Sequence, residues 1–299
     1  LNNGYTYREQ LGPAADSLTL LDYLVRNYRH STETTWLEHI ASGRVLIDGM
    51  PVPADTLLRR GSELVWKRPP WIEPAAPRSF AVLFEDEDLL AVAKPAGLPT
   101  LPGGNFLQGT LLHLVRERAP EASPLHRLGR WTSGLLLFAK NPRAGAGLTR
   151  QWSEKKVGKR YRALASGLPG LDAFAIETPI GPVPHQLLGS VHAASATGRP
   201  SLSRVIVLEQ RGDCFLCDVH IATGRPHQIR IHLASAGHPL VGDPLYGPGG
   251  IPLQGSAALP GDPGYLLHAA ELRFRHPTTG REMTLQSEPP MALRPSTGK

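Results

Sequence analysis

Apolar positions in the first seventy residues change period twice. Leu18, Leu21, Leu24, Val25 and Tyr28 recur every three or four residues, the spacing of an amphipathic helix. Trp36, Leu37 and Ile40 repeat that spacing in a second, shorter helix stopped by Gly43. In RVLIDGMPV (44–52), Asp48-Gly49 lies between short apolar runs, which predicts a β-hairpin. Residues 17–70 therefore form a small module, edged by Arg26, Arg29, Arg44, Arg59 and Arg60. Residues 1–16 read as an amino-terminal extension. The proline-rich stretch KRPPWIEPAAPR supplies a stiff, extended linker at 71–78.

From residue 79 to 299 the pattern is that of a second, larger domain. FAVLF and LLAVAKP flank an acidic turn at Glu85 to Asp88 and read as a hairpin. GLPTLPGG (97–104) is a tight loop, and TLLHLVRER a short helix. LLLFAK predicts a strand, residues 141–153 a helix, and KRYRALASG another strand. Strands follow at 203–208 and 214–222. HQIRIHLASAG has helical spacing through Ile229, Leu233 and Ala236, closed by Gly237. A turn-rich loop spans 242–264, and RFRHPTTGREMTL is hairpin-like. Strands and short helices mix without regular alternation, which predicts an α+β fold with a largely antiparallel sheet.

Composition narrows the class. The chain has 299 residues, 41% hydrophobic and 19% charged, as a globular protein has. Its net charge of +6 favours a polyanionic partner, because Lys and Arg contacts to phosphate dominate non-specific nucleic-acid affinity. No apolar stretch approaches the length of a membrane span, and LNNGYTYREQ has no signal-peptide pattern, so a cytoplasmic location is expected. The only two cysteines, Cys214 and Cys217, sit in a period-two stretch with Phe215, Val219 and Ile221. An offset of three along a strand points the thiols to opposite faces, so they are core cysteines and not a shared metal or redox site.

Three polar clusters flank the predicted element ends: His126 to Arg130, Lys159 to Tyr161, and Gly224 to His232. A metal centre from His126, His227 and His232 is not expected. His227 and His232 differ by five positions, which diverge on a helix, and neither cluster holds an acid.

Taken together, HRLGRWTSGLLLFAK, KRYRAL and GRPHQIRIHLASAGHPLVGDPLYG resemble, in order and spacing, the motifs of the RluA-type RNA pseudouridine synthases. VAKPAGLPTLPGG is similar to that family's first motif and LLHAAELRFRHPTTG to its closing segment. The amino-terminal module resembles the S-four-like RNA-binding domain carried by many of these enzymes. The resemblance implies a pseudouridine synthase fold and a reaction without cofactor or metal. A uridine in structured RNA is detached from its ribose, rotated and rejoined through a ring carbon. Ribosomal RNA is the expected target class, and a monomer the default state. Such an enzyme takes its base out of the stack, which calls for a pocket and a basic groove.

The resemblance also assigns residues. Tyr161 matches the tyrosine that stacks on the base and handles protons. Arg230 matches the arginine that orients the catalytic carboxylate, with Arg225 the second choice. RNA or substrate contacts fall at His126, Arg127, Arg130 and Thr132 in the first cluster. They continue at Lys155, Lys156 and Lys159, where Arg160 and Arg162 extend a basic run, and at Arg225, His227 and Gln228. Pro226, Thr100 and Leu101 depart from the commoner family residues.

One departure outweighs these. The family's H-R-L-D-R carries its catalytic aspartate where this chain has Gly129. That aspartate acts as nucleophile or base, and either role needs a carboxylate. Two expectations stand side by side. An active synthase takes its carboxylate from elsewhere, with Glu121 and Asp243 the nearest in sequence; a catalytically inactive relative binds RNA as a module or chaperone. In both, Arg230 is expected to face an empty position, a cation served by a bound phosphate or chloride.

Overall fold

The structure is a computed structural model that describes residues 1–28 and 30–296; Arg29 of the expected basic edge lies outside the described residues. The chain divides into two compact units, Leu1–Glu73 and Pro74–Lys299.

The first unit contains β1 (Tyr5–Gln10), α1 (Leu20–Asn27), α2 (Glu33–Ala41), β2 (Val45–Ile47), β3 (Met50–Pro51) and β4 (Glu63–Arg68). Both helices start on threonine caps. Thr19 accepts from the Asp22 N–H at 3.1 Å and Thr32 from the Thr35 N–H at 3.3 Å, satisfying donors that a helix start leaves free. Of the apolar stripes read from the sequence, Leu24, Trp36 and Ile40 are buried and pack with Leu20, Val45 and Leu64, whereas Val25 and Leu37 are exposed. The sheet runs β1-β4-β2-β3, all antiparallel. Residues 1–16, expected as an extension, thus contribute a strand. Its residues are mostly exposed, so no inward-facing alternation marked it in the sequence.

The second unit contains β5 (Ala81–Glu85), β6 (Leu89–Lys94), α3 (Leu111–Arg118), β7 (Ser123–Pro124), β8 (Ser133–Ala139), α4 (Pro142–Ser153), β9 (Gly158–Ser166) and β10 (Ala173–Ile176). There follow β11 (Ile180–His185), β12 (Gly189–Ala194), β13 (Ser203–Arg211), β14 (Cys214–Ile221), α5 (Gln228–Ser235), β15 (Leu267–Arg275) and β16 (Glu282–Gln286). One large sheet has the order β10-β13-β14-β9-β15-β8-β6-β5, with β16 on β15 and β7 on β8, while β11 and β12 pair separately. Its pairs are antiparallel except β8 with β15. The fold is α+β with a largely antiparallel sheet.

Helices cover both faces of this sheet. On one, Leu90, Val92, Leu136, Phe138 and Phe215 pack with Leu111 and Val115 of α3 and Ile229 and Leu233 of α5. On the other, Leu89, Leu135, Leu137 and Leu272 meet Ala144 and Leu148 of α4. β6 and β8 read as unbroken apolar runs because each is buried on both sides. Truncating Phe138 or Phe215, both fully buried, to alanine costs about 3–5 kcal/mol.

β9 is different. Tyr161, Ala163 and Ala165 face the α3/α5 core, while Arg160 and Arg162 point the other way into an ion network. Arg160 reaches Asp218 and Glu271, both at 3.1 Å, and Arg162 donates to Asp218 at 2.7 Å and to the Leu293 carbonyl at 3.1 Å. The expected continuous basic run is therefore divided by the parity of the strand. Arg160 and Arg162 are internal ion-pair partners and not phosphate ligands.

Candidate functional site

The site forms where β8, β9, β15 and α5 begin or end. Gly134 makes the junction of β8 with β15 possible: a Cβ there would meet the Ala269 carbonyl oxygen at 2.3 Å and its nitrogen at 2.6 Å. With that close approach, Gly134, Ala269 and Tyr161 lie in register across three strands. The loop before β8 carries Gly129 and is tied down from below. The Lys94 ammonium, 1% exposed, donates to the carbonyls of Pro95, Leu98 and Arg130 at 2.9, 2.7 and 3.0 Å. Burial, and then the Arg130 charge, push it down to about 7. Thr100 donates to the Leu128 carbonyl at 2.9 Å and accepts from the Leu128 N–H at 3.3 Å.

Several residues expected to contact RNA are used instead to build this loop and the next. Arg130 Nε donates to the Gly97 carbonyl at 3.0 Å, and its guanidinium lies 4.6 Å over the Phe106 ring. His126 stacks on Trp152 at 5.4 Å and accepts from the Leu137 N–H at 3.2 Å; burial and the neighbouring Lys159 charge push it down to about 3, so the ring is neutral. Gln228 spends its amide on the protein. Its NH2 donates to the Leu202 carbonyl and Ser203 hydroxyl, and its oxygen accepts from Thr223 and the Arg225 N–H. His227 caps α5 in a left-handed conformation, φ 53°, with Nδ1 2.7 Å from the Tyr246 hydroxyl. That hydroxyl donates its one hydrogen to the His192 carbonyl, so His227 Nδ1 carries the proton it shares with Tyr246. Burial first, then the Arg230 charge, push His227 down to about 3. Lys156 pairs with Glu154 at 2.8 Å on the surface.

What remains is compact. A cavity of about 450 Å³ is lined by Arg127, Lys155, Lys159 and Arg225, with Tyr161, His126 and Trp152 in its wall and no carboxylate in its lining. Arg225 Nε is buried without a partner. Burial lowers the Lys159 ammonium, and burial pushes the Tyr161 hydroxyl up to about 12, so it stays protonated at neutral pH. Four cations around an aromatic floor suit an anionic ligand with a flat ring.

Gly129 does not line this cavity. It is exposed, and its carbonyl accepts from the Thr132 N–H at 3.1 Å. Arg230 does not face an empty position, as the sequence led one to expect. Nε and Nη2 form a two-pronged pair with Asp243, each at 2.7 Å, and Nη1 donates to the Pro260 carbonyl at 2.9 Å. No bound anion is needed, because the side chains of Arg230 and Asp243, 2% and 1% exposed, neutralise each other. Asp243 also accepts from the Leu245 and Tyr246 N–H groups. With four donors on a side chain so deeply buried, it is the anchor of Arg230 and has no face left for a substrate. Glu121 stands exposed beyond α3.

Tyr265 is the residue that sequence reasoning passed over. Only 4% exposed, its ring lies 4.1 Å from the Arg230 guanidinium, and its hydroxyl is 3.5 Å from Thr132 Oγ1. The backbones of Gly242 and Gly264 touch, so that a Cβ on either would lie 2.4 or 2.2 Å from the other's carbonyl oxygen. This contact brings the next residues along the chain, Asp243 and Tyr265, together at Arg230. Two glycines, each just before a polar residue in a turn-rich loop, were the signal available in the sequence.

The α+β sheet thus carries, at its strand ends, a cationic pocket with an aromatic wall. Residues 88–235 match the RNA pseudouridylate synthase family. The chain is 42% identical to an uncharacterized RNA pseudouridine synthase of Synechocystis, covering 92% of this chain and 96% of the relative. It is 33% identical to ribosomal large subunit pseudouridine synthase D of Neisseria meningitidis serogroup B, covering 91% and 75%. Its fold is similar to that of human RNA pseudouridylate synthase domain containing 1, with TM-score 0.56 and 28% identity over 73% of this chain and 86% of that one. The chain belongs to the RNA pseudouridylate synthase family. No described helix is long and apolar enough to cross a membrane.

Proposed function

We propose that this chain is an RNA pseudouridine synthase. It takes a flipped uridine from structured RNA into the pocket beside Tyr161, isomerises it to pseudouridine, and needs neither cofactor nor metal. The observation that carries this reading is the cavity with four cations and an aromatic wall. Arg127, Lys155, Lys159 and Arg225 hold the phosphates that flank the flipped nucleotide. Tyr161 stacks on the base, and Arg230, fixed by Asp243, organises the floor. The amino-terminal unit acts as an S-four-like RNA-binding module, with Arg26, Arg44, Arg59 and Arg60 exposed for the backbone. The target class is ribosomal RNA, a reading supported by the words "ribosomal large subunit" in the name of the Neisseria relative. The protein works in the cytoplasm as a monomer.

A second reading is favoured by Gly129 together with the locked state of Asp243. In it, the protein binds the same RNA without turnover, because position 129 lacks the family's carboxylate and no described acid replaces it. Tritium release from ring-labelled uridine in ribosomal RNA, measured beside RNA binding, separates the two. Release supports the synthase; tight binding without release supports the silent relative.

A further inference from the structure

A second cavity of about 450 Å³ is lined by β11 and β12, by Arg199 and by the turn before α5. It shares Gly224 and Arg225 with the pocket beside Tyr161. The wall between the two is thin. A Cβ built on Gly224 would lie 3.9 Å from the Lys159 ammonium of the first pocket, and glycine leaves that space open. Arg225 completes the wall. Its Nη2 donates to the Pro200 carbonyl at 3.3 Å, while its buried Nε has no hydrogen-bond partner among the described residues. A buried charged donor without an acceptor is costly, and a phosphate oxygen would satisfy it. Across the second cavity, Arg199 is fixed by its backbone. Its N–H donates to the Ile180 carbonyl at 2.8 Å, and its carbonyl accepts from the Ile180 N–H at 3.1 Å. Gly198 permits this approach, since a Cβ there would lie 2.4 Å from the Ile180 carbonyl carbon. The exposed Arg199 and His192 side chains therefore line the cavity from a rigid base.

We propose that this second cavity is a subsite for the nucleotide next to the flipped uridine on the same strand, and that Arg225 holds the phosphate joining the two. The inference rests on the RNA-binding reading of the first pocket and holds whether or not Gly129 permits turnover. Lys159 on one side and Arg199 on the other make a cationic track with Arg225 at its middle. Two nucleosides joined by one phosphate thus match two cavities joined by one arginine. The second cavity has the size of a ligand pocket. The Arg199 guanidinium donates in a planar fork that fits a phosphate or the acceptor edge of a base. His192 adds a ring that donates or accepts. The cavity therefore reads a neighbour, so that the context of the target uridine helps decide which RNA is held.

The test displaces a labelled ribosomal RNA transcript from the full chain with two competitors. Uridine 3′,5′-bisphosphate offers one nucleoside with both flanking phosphates. The uridine trinucleotide offers the neighbouring nucleosides as well, and it carries less charge. The trinucleotide is expected to displace the transcript at about 10- to 100-fold lower concentration, the worth of an added hydrogen bond or two to a charged group. Arg199→Ala, and Arg199→Gln as a longer replacement, change an exposed side chain. Both should abolish the trinucleotide's advantage, with thermal unfolding and the bisphosphate's potency unchanged. Arg225→Gln should weaken both competitors, because Arg225 belongs to both cavities. Equal potency of the two competitors on the unaltered chain overturns the subsite, as does an advantage that survives both Arg199 variants. A bisphosphate equally potent on Arg225→Gln removes Arg225 from the shared phosphate and overturns the proposal. Displacement by neither competitor, with the transcript bound, overturns the subsite and leaves the RNA reading standing. A transcript that does not bind the unaltered chain overturns the RNA reading, and the subsite with it.

Discussion

Replacing Asp243 with asparagine removes one charge and preserves shape. Its consequence follows from two 2.7 Å bonds between side chains that are 2% and 1% exposed. Asparagine keeps one acceptor oxygen but turns its amide toward a guanidinium that has no other anion. Breaking one partner of such a buried pair costs about 3–5 kcal/mol, because the surviving charge is left uncompensated in a low-dielectric interior. For a unit of this size each kcal/mol lowers the midpoint by about 2–4 °C, so Asp243→Asn should unfold about 6–20 °C earlier. Calorimetry and guanidinium titration of the full chain measure this. A loss below about 1 kcal/mol for Asp243→Asn refutes Asp243 as the anchor of Arg230.

Other outcomes follow from the same geometry. Removing Arg127, Lys155, Lys159 or Arg225 should weaken RNA binding and flatten its salt dependence by about 0.7–0.9 per contact in a log–log plot, whereas Arg160→Ala and Arg162→Ala should cost stability and leave the slope alone. Thr100→Val leaves the buried Leu128 carbonyl and N–H unpaired and should destabilise by about 1–3 kcal/mol in denaturant titration. His126 and His227 are neutral in the fold down to about pH 3, while in the unfolded chain they charge near 6.5. The stability they contribute is thus complete above about 6.5 and lost as the pH falls toward 3. Unfolding curves of His227→Asn against the unaltered chain should converge across that window; parallel curves refute it.

Much of the fold was legible because the chain's patterns are local. β6 and β8 are unbroken apolar runs of strand length. Asn141, whose side chain accepts from the Ala144 N–H at 2.9 Å, marks the start of α4 with Pro142 behind it. β11 was not legible, since Pro182 and Pro184 argue against a strand, and it survives only in a two-stranded hairpin outside the large sheet. The site was legible in outline. Tyr161 and the cations of the pocket stand together, but the fate of each cation depended on distant partners. Strand parity separates Lys159 from Arg160, which period-two reasoning reaches. That Arg160 meets Glu271, or Arg230 meets Asp243, depends on how distant segments come together, and no local pattern encodes that. Tyr265 reaches Gly129 from 136 positions away, and only the folded chain reveals it.

Nucleoside analysis of unmodified ribosomal RNA transcripts, before and after incubation with the unaltered protein, tests the central claim most directly. The account predicts one new pseudouridine at a defined uridine of a structured segment, formed despite Gly129 and without added metal. Transcripts that bind the protein and come back with every uridine unchanged would contradict it.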